Sequence, residues 1–339
     1  MKRLFRQTKS MFLCGKKILN TYKVLETLQE KNITMKKIFI ILTLSLFAVS
    51  YSQKKKEIFL FTSFREPATE GLYLAYSEDG YNWKGLEGSF LKPEIGASKI
   101  MRDPSITKGA DGTYHMVWTT DWKGGNGFGY ASSKDLIHWS KQEYIPVMKH
   151  EPEVVNVWAP EIFYDDVKKE YIIIWASTIP FRFEKGVEEE KNNHRMYYVT
   201  TKDFKTFSDT KLYYDPGFSV IDCVIVKKGK KDYVLVLKDN TRPMRNIEVA
   251  FGKSPLGPFE KRSKPLTEYL SEGPTVVKVG KNWLLYYDNY GSKNYKALST
   301  SDFVKFEDVS SKISLPEGHK HGTITTISEE VLKGLIEKK

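Results

Sequence analysis

The chain has 339 residues, 40% hydrophobic and 14% aromatic, enough to bury a sizeable core, and carries a net charge of +11. That charge is not the footprint of a nucleic-acid binder. Residues 1–52 hold ten Lys/Arg against two Glu, so eight of the eleven net positive charges lie in that leader and only three on the 287 residues that follow.

In chain order, the first feature is a second start. "MKKIFIILTLSLFAVSYSQ" begins at Met35 with two lysines, runs apolar from Ile38 to Val49, and continues through small residues at Ala48, Ser50 and Ser52. This is the pattern of a secretory signal peptide over 35–52, with cleavage expected just before Gln53. The apolar run is short for a membrane span. Residues 1–34 read as an upstream extension from a misplaced start codon, and the working domain as 53–339. No cysteine follows the apolar run, so a lipid anchor is not expected. Beyond the leader Cys223 stands alone, so no internal disulfide is expected. The mature protein is expected in the periplasm or outside the cell, as a monomer, with no nucleic-acid partner and no membrane attachment after cleavage.

From residue 57 on, the pattern is short apolar/polar alternation, as in "EIFLFTSF", "YIIIWAS", "YVLVLKD" and "WLLYYDN", which predicts strands. Two motifs repeat through it. The first is Ser/Thr-x-Asp with an aromatic four residues on: "SEDGYNW" (77–83), "SKDLIHW" (133–139), "TKDFKTF" (201–207) and "TSDFVKF" (300–306), with a degenerate copy "SPLGPF" (254–259). Each copy follows a strand and looks like the turn into another. The second motif is an acid, a strand, a polar turn and a second strand: "RDPSITKGADGTYHMVW", "APEIFYDDVKKEYIIIW", "IDCVIVKKGKKDYVLVL" and "EGPTVVKVGKNWLLYY". A fifth copy, "HGTITTI", starts at His321 and lacks its second strand, which "EIFLFTSF" at 57–64 can supply. Five units of about 50 to 60 residues predict an all-β, five-bladed β-propeller with four-stranded blades. Its last blade is closed by N- and C-terminal strands together. A sandwich needs no such period, and a β-helix has a much shorter one. The charged run at 183–195 reads as a loop of the second blade.

In a propeller the first strand of each blade lines the central channel, so Asp103, Glu161, Asp222, Glu272 and His321 are expected in register around one axis. Four carboxylates in one pocket repel one another, which raises some of their pKa values and marks a functional site. A metal cage is a weaker reading, because no contiguous oxygen-rich loop is present. Paired carboxylates of different pKa are what glycoside hydrolysis needs: one protonated to donate to the leaving oxygen, one ionised to activate water or attack carbon. Trp122 and Trp158 are candidates to stack on sugar faces. His115, His138 and His150 are assigned no role.

The segments "RDPSI", "WAPEI", "ID" and "SEGPT", in this order, with "SPLGPF" and the terminal "HGTI", resemble family 43 glycoside hydrolases over essentially all of 53–339. The resemblance implies an inverting exo- or endo-glycosidase, most often active on arabinofuranosyl or xylosyl groups and in some members on galactans. It implies Asp103 as general base, Glu272 as general acid and Asp222 as the residue that tunes and orients the acid. His321 matches an axial histidine that in many relatives lies near a calcium ion or water cluster; no cofactor is required, and calcium is allowed at the axis. Glu161, Trp158, Arg102, Trp122 and His321 are the expected substrate-binding set, the partner being an oligo- or polysaccharide, plant or algal. Two departures stand out: Cys223 follows Asp222 where a proline is common, and Arg102 precedes the base where a histidine is common. Arg102 is a candidate to engage a hydroxyl or an acidic group of the sugar. A retaining fructosidase-type propeller, a phosphorylase on the same fold, and a non-catalytic sugar-binding propeller are the alternatives.

Overall fold

The computed structural model describes residues 57–183 and 193–338, with Lys23, 26–31 and Lys36. The chain divides into two units, Met1–Lys55 and Lys56–Lys339. Of the first, residues 26–31 are helical and exposed. The expected signal segment, apart from Lys36, and most of the charged run at 183–195 lie outside the described residues. Among those described, no helix is long and apolar enough to cross a membrane.

The second unit is a five-bladed β-propeller. Blade I is β4 (Arg102–Lys108), β5 (Tyr114–Thr119), β6 (Phe128–Ser133) and β7 (Glu143–Ile145). Blade II is β8 (Trp158–Asp165), β9 (Glu170–Ser177), β10 (Arg195–Thr201) and β11 (Lys211–Tyr214). Blade III is β12 (Val220–Gly229), β13 (Asp232–Asp239), β14 (Asn246–Gly252) and β15 (Phe259–Glu260). Blade IV is β16 (Ser271–Val279), β17 (Asn282–Asn289), β18 (Asn294–Thr300) and β19 (Glu307–Asp308). Blade V joins the two ends of the domain: β20 (Ile324–Ile327) is its inner strand, paired antiparallel to β1 (Ile58–Ser63), then β2 (Tyr73–Ser77) and β3 (Trp83–Gly85). Closure of this kind leaves no blade with a missing strand to pair elsewhere.

The first repeat is the turn between the third and fourth strands. In each of its four full copies a hydroxyl accepts backbone N–H groups two and three residues on, as Ser133 does from Asp135 and Leu136 at 3.2 and 2.8 Å. The aspartate then accepts the next two, as Asp135 does from Ile137 and His138 at 2.9 and 2.8 Å. Ser77/Asp79, Thr201/Asp203 and Thr300/Asp302 make the same bonds. This local bonding, which Asx- and Ser/Thr-type turns favour, holds the left-handed residue that follows: Leu136 (φ 65°), Phe204 (φ 56°) and Phe303 (φ 64°), all buried, with Gly80 in blade V.

The core lies between neighbouring blades. Ile58, Leu60, Leu72 and Leu74 of blade V pack against Ile106, Tyr114, Met116 and Trp118 of blade I. Leu332 and Leu335 of the C-terminal helix α1 (Glu329–Glu337) join that cluster. Val117 and Phe128 of blade I meet Ile162, Ile173 and Trp175 of blade II. Period-2 strands with two apolar faces are required here, since each blade is covered on both sides by its neighbours. The inner strands β4, β8, β12, β16 and β20 pack in succession around the axis.

Candidate active site

Each of the first four inner strands carries a bulge near its start. The register steps from Arg102/Thr119 to Ser105/Val117, from Trp158/Ala176 to Glu161/Ile174, from Ile221/Lys238 to Val224/Val236, and from Glu272/Asp288 to Thr275/Tyr286. The first bulged residue is left-handed in every case: Asp103 (φ 51°), Ala159 (φ 45°), Asp222 (φ 53°) and Gly273 (φ 57°). A bulge re-aims the side chains around it, and the same left-handed geometry at Ala159 and Gly273 as at the two aspartates shows that the bulge belongs to the inner strand of each of these blades.

These ladders correct the expectation that the acids share one register. Only Asp103 and Asp222 are equivalent. Glu272 is one residue earlier, at the position of Arg102, Trp158 and Ile221, and Glu161 is two residues later, at the position of Ser105. The acids therefore enter the axis at three depths. Asp103, Asp222, Glu272 and His321 line a cavity of about 410 Å³ together with Arg102, Trp122 and Trp158, a volume in the range of small-molecule sites. Glu161 lies in a layer beneath it, where its Oε2 accepts the Ser105 hydroxyl at 2.5 Å and the Thr323 hydroxyl at 3.3 Å.

The upper layer is a set of ion pairs. Asp103 Oδ1 is 3.1 Å from His321 Nδ1, and its Oδ2 accepts the Thr119 hydroxyl at 2.9 Å. Burial works to raise the Asp103 pKa, but His321, by hydrogen bond and charge, with Arg102 and Thr119, outweighs it and holds the carboxyl below its ordinary value. His321 is pushed up to about 9: burial disfavours its charge, but Asp103, Asp222 and Glu272 favour it more strongly. Glu272 Oε2 accepts a hydrogen bond from Lys238 Nζ at 2.9 Å. Burial would raise Glu272, and the Lys238 ammonium, helped by His321, lowers it. Asp222 accepts the Gly273 N–H at 3.1 Å. Burial raises its pKa, with Glu272 and Asp103 adding to the rise against the charges of His321 and Lys238. In the lower layer, burial lifts Glu161 to about 7 against the opposing Ser105, His321 and Thr323 contributions.

One wall is aromatic. Trp122, 46% exposed, stacks on Trp158 at 4.7 Å, and Trp158 stacks on His194 at 4.9 Å while its Nε1 donates to the Trp122 carbonyl at 2.9 Å. The tryptophans thus face each other, and Trp122 has the wider contact with solvent. Arg102 lies against Phe64 and Trp122, and its Nη1 donates to both Glu66 oxygens at 2.8 and 3.0 Å. Its charge is matched at the rim by Glu66.

Sequence reasoning missed Lys238, Asp288 and Lys320, which also line the cavity. Asp288 sits opposite Glu272 in the ladder and accepts from Lys320 Nζ at 2.9 Å. Burial raises the pKa of Asp288, with Lys320 opposing. A signal was present: "YVLVLKD" and "WLLYYDN" each end an apolar second strand on a charged residue, paired to the start of the inner strand.

A calcium ion at the axis would meet groups that already have partners. Hard cations take six to eight oxygens. Here His321 Nδ1 faces Asp103 Oδ1 at 3.1 Å, and Glu161 already receives two hydroxyls on one oxygen. Among the described residues no group of three or more His, Cys, Asp and Glu side chains is placed to hold a metal.

Comparison with known proteins agrees with the propeller fold. The family model described as "Probable glycosyl hydrolase domain", of the glycosyl hydrolase 43-related group, matches residues 55–332. An α-L-arabinofuranosidase of Bifidobacterium longum subsp. longum is 23% identical over 206 residues, covering 55% of this chain and 19% of its own length. The chain thus spans about a fifth of the length of that curated relative. Among solved structures, the Cellvibrio cellulosa α-L-arabinanase complexed with arabinohexaose superposes with a TM-score of 0.55 at 15% identity, covering 78% of this chain and 96% of that one. A thermostable family-43 glycoside hydrolase gives 0.53 at 15% identity, covering 67% and 80%. These likenesses are to the propeller fold. With the family model spanning nearly the whole propeller and a carboxylate-lined pocket on its axis, the chain belongs to the glycosyl hydrolase 43-related family.

Proposed function

We propose that this domain is an exported, inverting, exo-acting glycosidase that removes arabinofuranosyl or xylosyl groups, with galactosyl the third candidate, from plant or algal polysaccharide fragments. The observation that carries the reading is the placement of Asp103 and Glu272 on the inner strands of blades I and IV, lining one cavity. Asp103, held ionised by His321 and Thr119, acts as general base. It takes one proton from a water whose oxygen bonds the anomeric carbon. Glu272, in its protonated state, gives its proton to the glycosidic oxygen as the bond to the leaving sugar breaks. The two carboxyls then exchange protons with solvent to reset. Asp222, between them in the ring of blades, adjusts the acid through its charge. Trp122 and Trp158 form the wall against which a sugar packs. Export rests on the pattern from Met35, and the arabinofuranosyl preference on the curated relative.

The test is a panel of nitrophenyl glycosides, arabinofuranoside and xyloside first, with the product anomer read by proton NMR at early times. Release of the inverted sugar without added phosphate is expected. A retained anomer, a need for inorganic phosphate, or binding without turnover of any member of the panel or of arabino- and xylo-oligosaccharides would each refute it.

A further inference from the structure

Glu272 has a neighbour that its assigned role does not ask for. A general acid must carry a proton when the substrate is bound, yet Lys238 Nζ lies 2.9 Å from Glu272 Oε2. The lysine side chain is 3% exposed, whereas that of Glu272 is 37% exposed and open to the cavity. The pairing is built into the sheets. Lys238 is on β13, opposite Ile221 and so beside the β12 bulge that carries Asp222, while Glu272 opens β16 of the next blade. The Lys238 ammonium also lies 5.4 Å from the Tyr290 ring. Such a buried cation is tolerated only when paired, and the pairing commits it to the acid.

We propose that Lys238 sets the acid strength of Glu272. It holds the carboxylate left after proton transfer, so that Glu272 is a stronger acid than an isolated glutamic acid and is in its donating state mainly at acid pH. This rests on the assignment of Glu272 as general acid. The titratable groups that bear on Glu272 are Lys238 from β13, Asp222 from β12, Asp103 from β4, Asp288 from β17, Tyr295 from β18 and His321 just ahead of β20. Lys238 makes the direct hydrogen bond. Its effect on the titration of Glu272 is larger than that of His321, while Asp103 opposes both. An opposite charge at this range moves a carboxyl by roughly one to three pH units. The protonated fraction above the midpoint is therefore about ten- to a thousand-fold smaller than it would be without the lysine. In return the donated proton leaves behind a stabilised anion, which favours substrates with poor leaving groups. Lys238 is in this sense a positioning residue: it acts through Glu272 and need not touch the reacting atoms.

The test is a carbon-13 NMR titration of the full chain labelled at the glutamate carboxyl carbons, with the Glu272 signal assigned by its loss in Glu272→Gln. It is run on the wild type, Lys238→Met and Lys238→Arg, alongside the pH dependence of kcat/KM on the best nitrophenyl glycoside. Glu272 is expected to titrate below the ordinary glutamate value in the wild type and in Lys238→Arg, and roughly one to three pH units higher in Lys238→Met. The alkaline limb of kcat/KM should move upward with it. Equal midpoints in wild type and Lys238→Met would overturn the proposal, as would a limb that stays put while the midpoint moves. Should Lys238→Met fail to fold, the wild type decides: a Glu272 midpoint at or above the ordinary value refutes the pairing. The titration needs no turnover, so an inactive glycoside panel would count against the proposed function and leave the ion-pair measurement readable on its own.

Discussion

Replacing Glu161 with glutamine should stabilise the protein at alkaline pH and leave it unchanged at acid pH. Glu161 sits beneath the pocket floor with its Oε2 taking hydroxyl donors from Ser105 and Thr323. Its pKa is raised from 4.5 to about 7, mainly by burial. The folded state therefore binds a proton that the unfolded chain has released, and stability falls as pH rises from about 4.5 through 7. A gap of about 2.5 pH units at about 1.4 kcal/mol each corresponds to about 3 kcal/mol lost by pH 8. This is an upper figure, since Glu161 is only half-buried. Glutamine has the same shape, keeps an oxygen for the two hydroxyls and never ionises. The gain at pH 8 should therefore approach that figure, or roughly 5–10 °C in Tm for a domain of this size. His321, raised to about 9, contributes stability present below its unfolded value near 6.5 and lost as pH climbs through 9. That loss is common to both proteins and largely cancels in the comparison. The assay is urea unfolding of wild type and Glu161→Gln at pH 5 and pH 8. Equal stability at pH 8 would refute the buried ionisation, and an equal gain at both pH values would show that packing, not protonation, is responsible.

Asp103→Asn should lower kcat/KM by about 10²–10⁴-fold on good and poor leaving groups alike; a loss within about threefold on a natural oligosaccharide would move the base role elsewhere, with Glu161 the first residue to examine. Glu272→Gln should cost about 10²–10⁴-fold on sugars with poor leaving groups and much less on activated aryl glycosides, and a uniform loss across a leaving-group series would argue against proton donation. Gly129→Ala would bring a Cβ within 2.1 Å of the Trp118 indole, which is fully buried. It should destabilise by about 1–3 kcal/mol, read as a lower urea midpoint at unchanged m-value. Protein from its native host should begin near Gln53, and N-terminal sequencing that finds an intact Met1 would refute export through the Met35 signal.

The sequence alone was enough for the architecture because both repeats are written in local chemistry. A Ser/Thr-x-Asp turn is held by bonds between residues two and three apart, as at Ser133 and Asp135, so its copies can be counted without a structure. The strand pattern around the second motif then gave five blades, including the closure of the last by "HGTITTI" and "EIFLFTSF". Repetition also brought Asp103, Asp222, Glu272 and His321 to one cavity. What the tertiary structure decided was depth and partnership. The prolines hinted at an offset, since Asp103 stands one before Pro104, Glu161 one after Pro160 and Glu272 two before Pro274, but a bulge adds a residue to one strand only, and its position shows only in the pairing with the next. That pairing sets Glu272 one step above Asp103 and Glu161 two steps below. The cations that settle the titration of these acids come from strands and segments far along the chain: Lys238 lies 34 residues before Glu272 and Lys320 lies 32 after Asp288. Charge acts through space and not along the sequence, so no motif spacing could have announced those pairs.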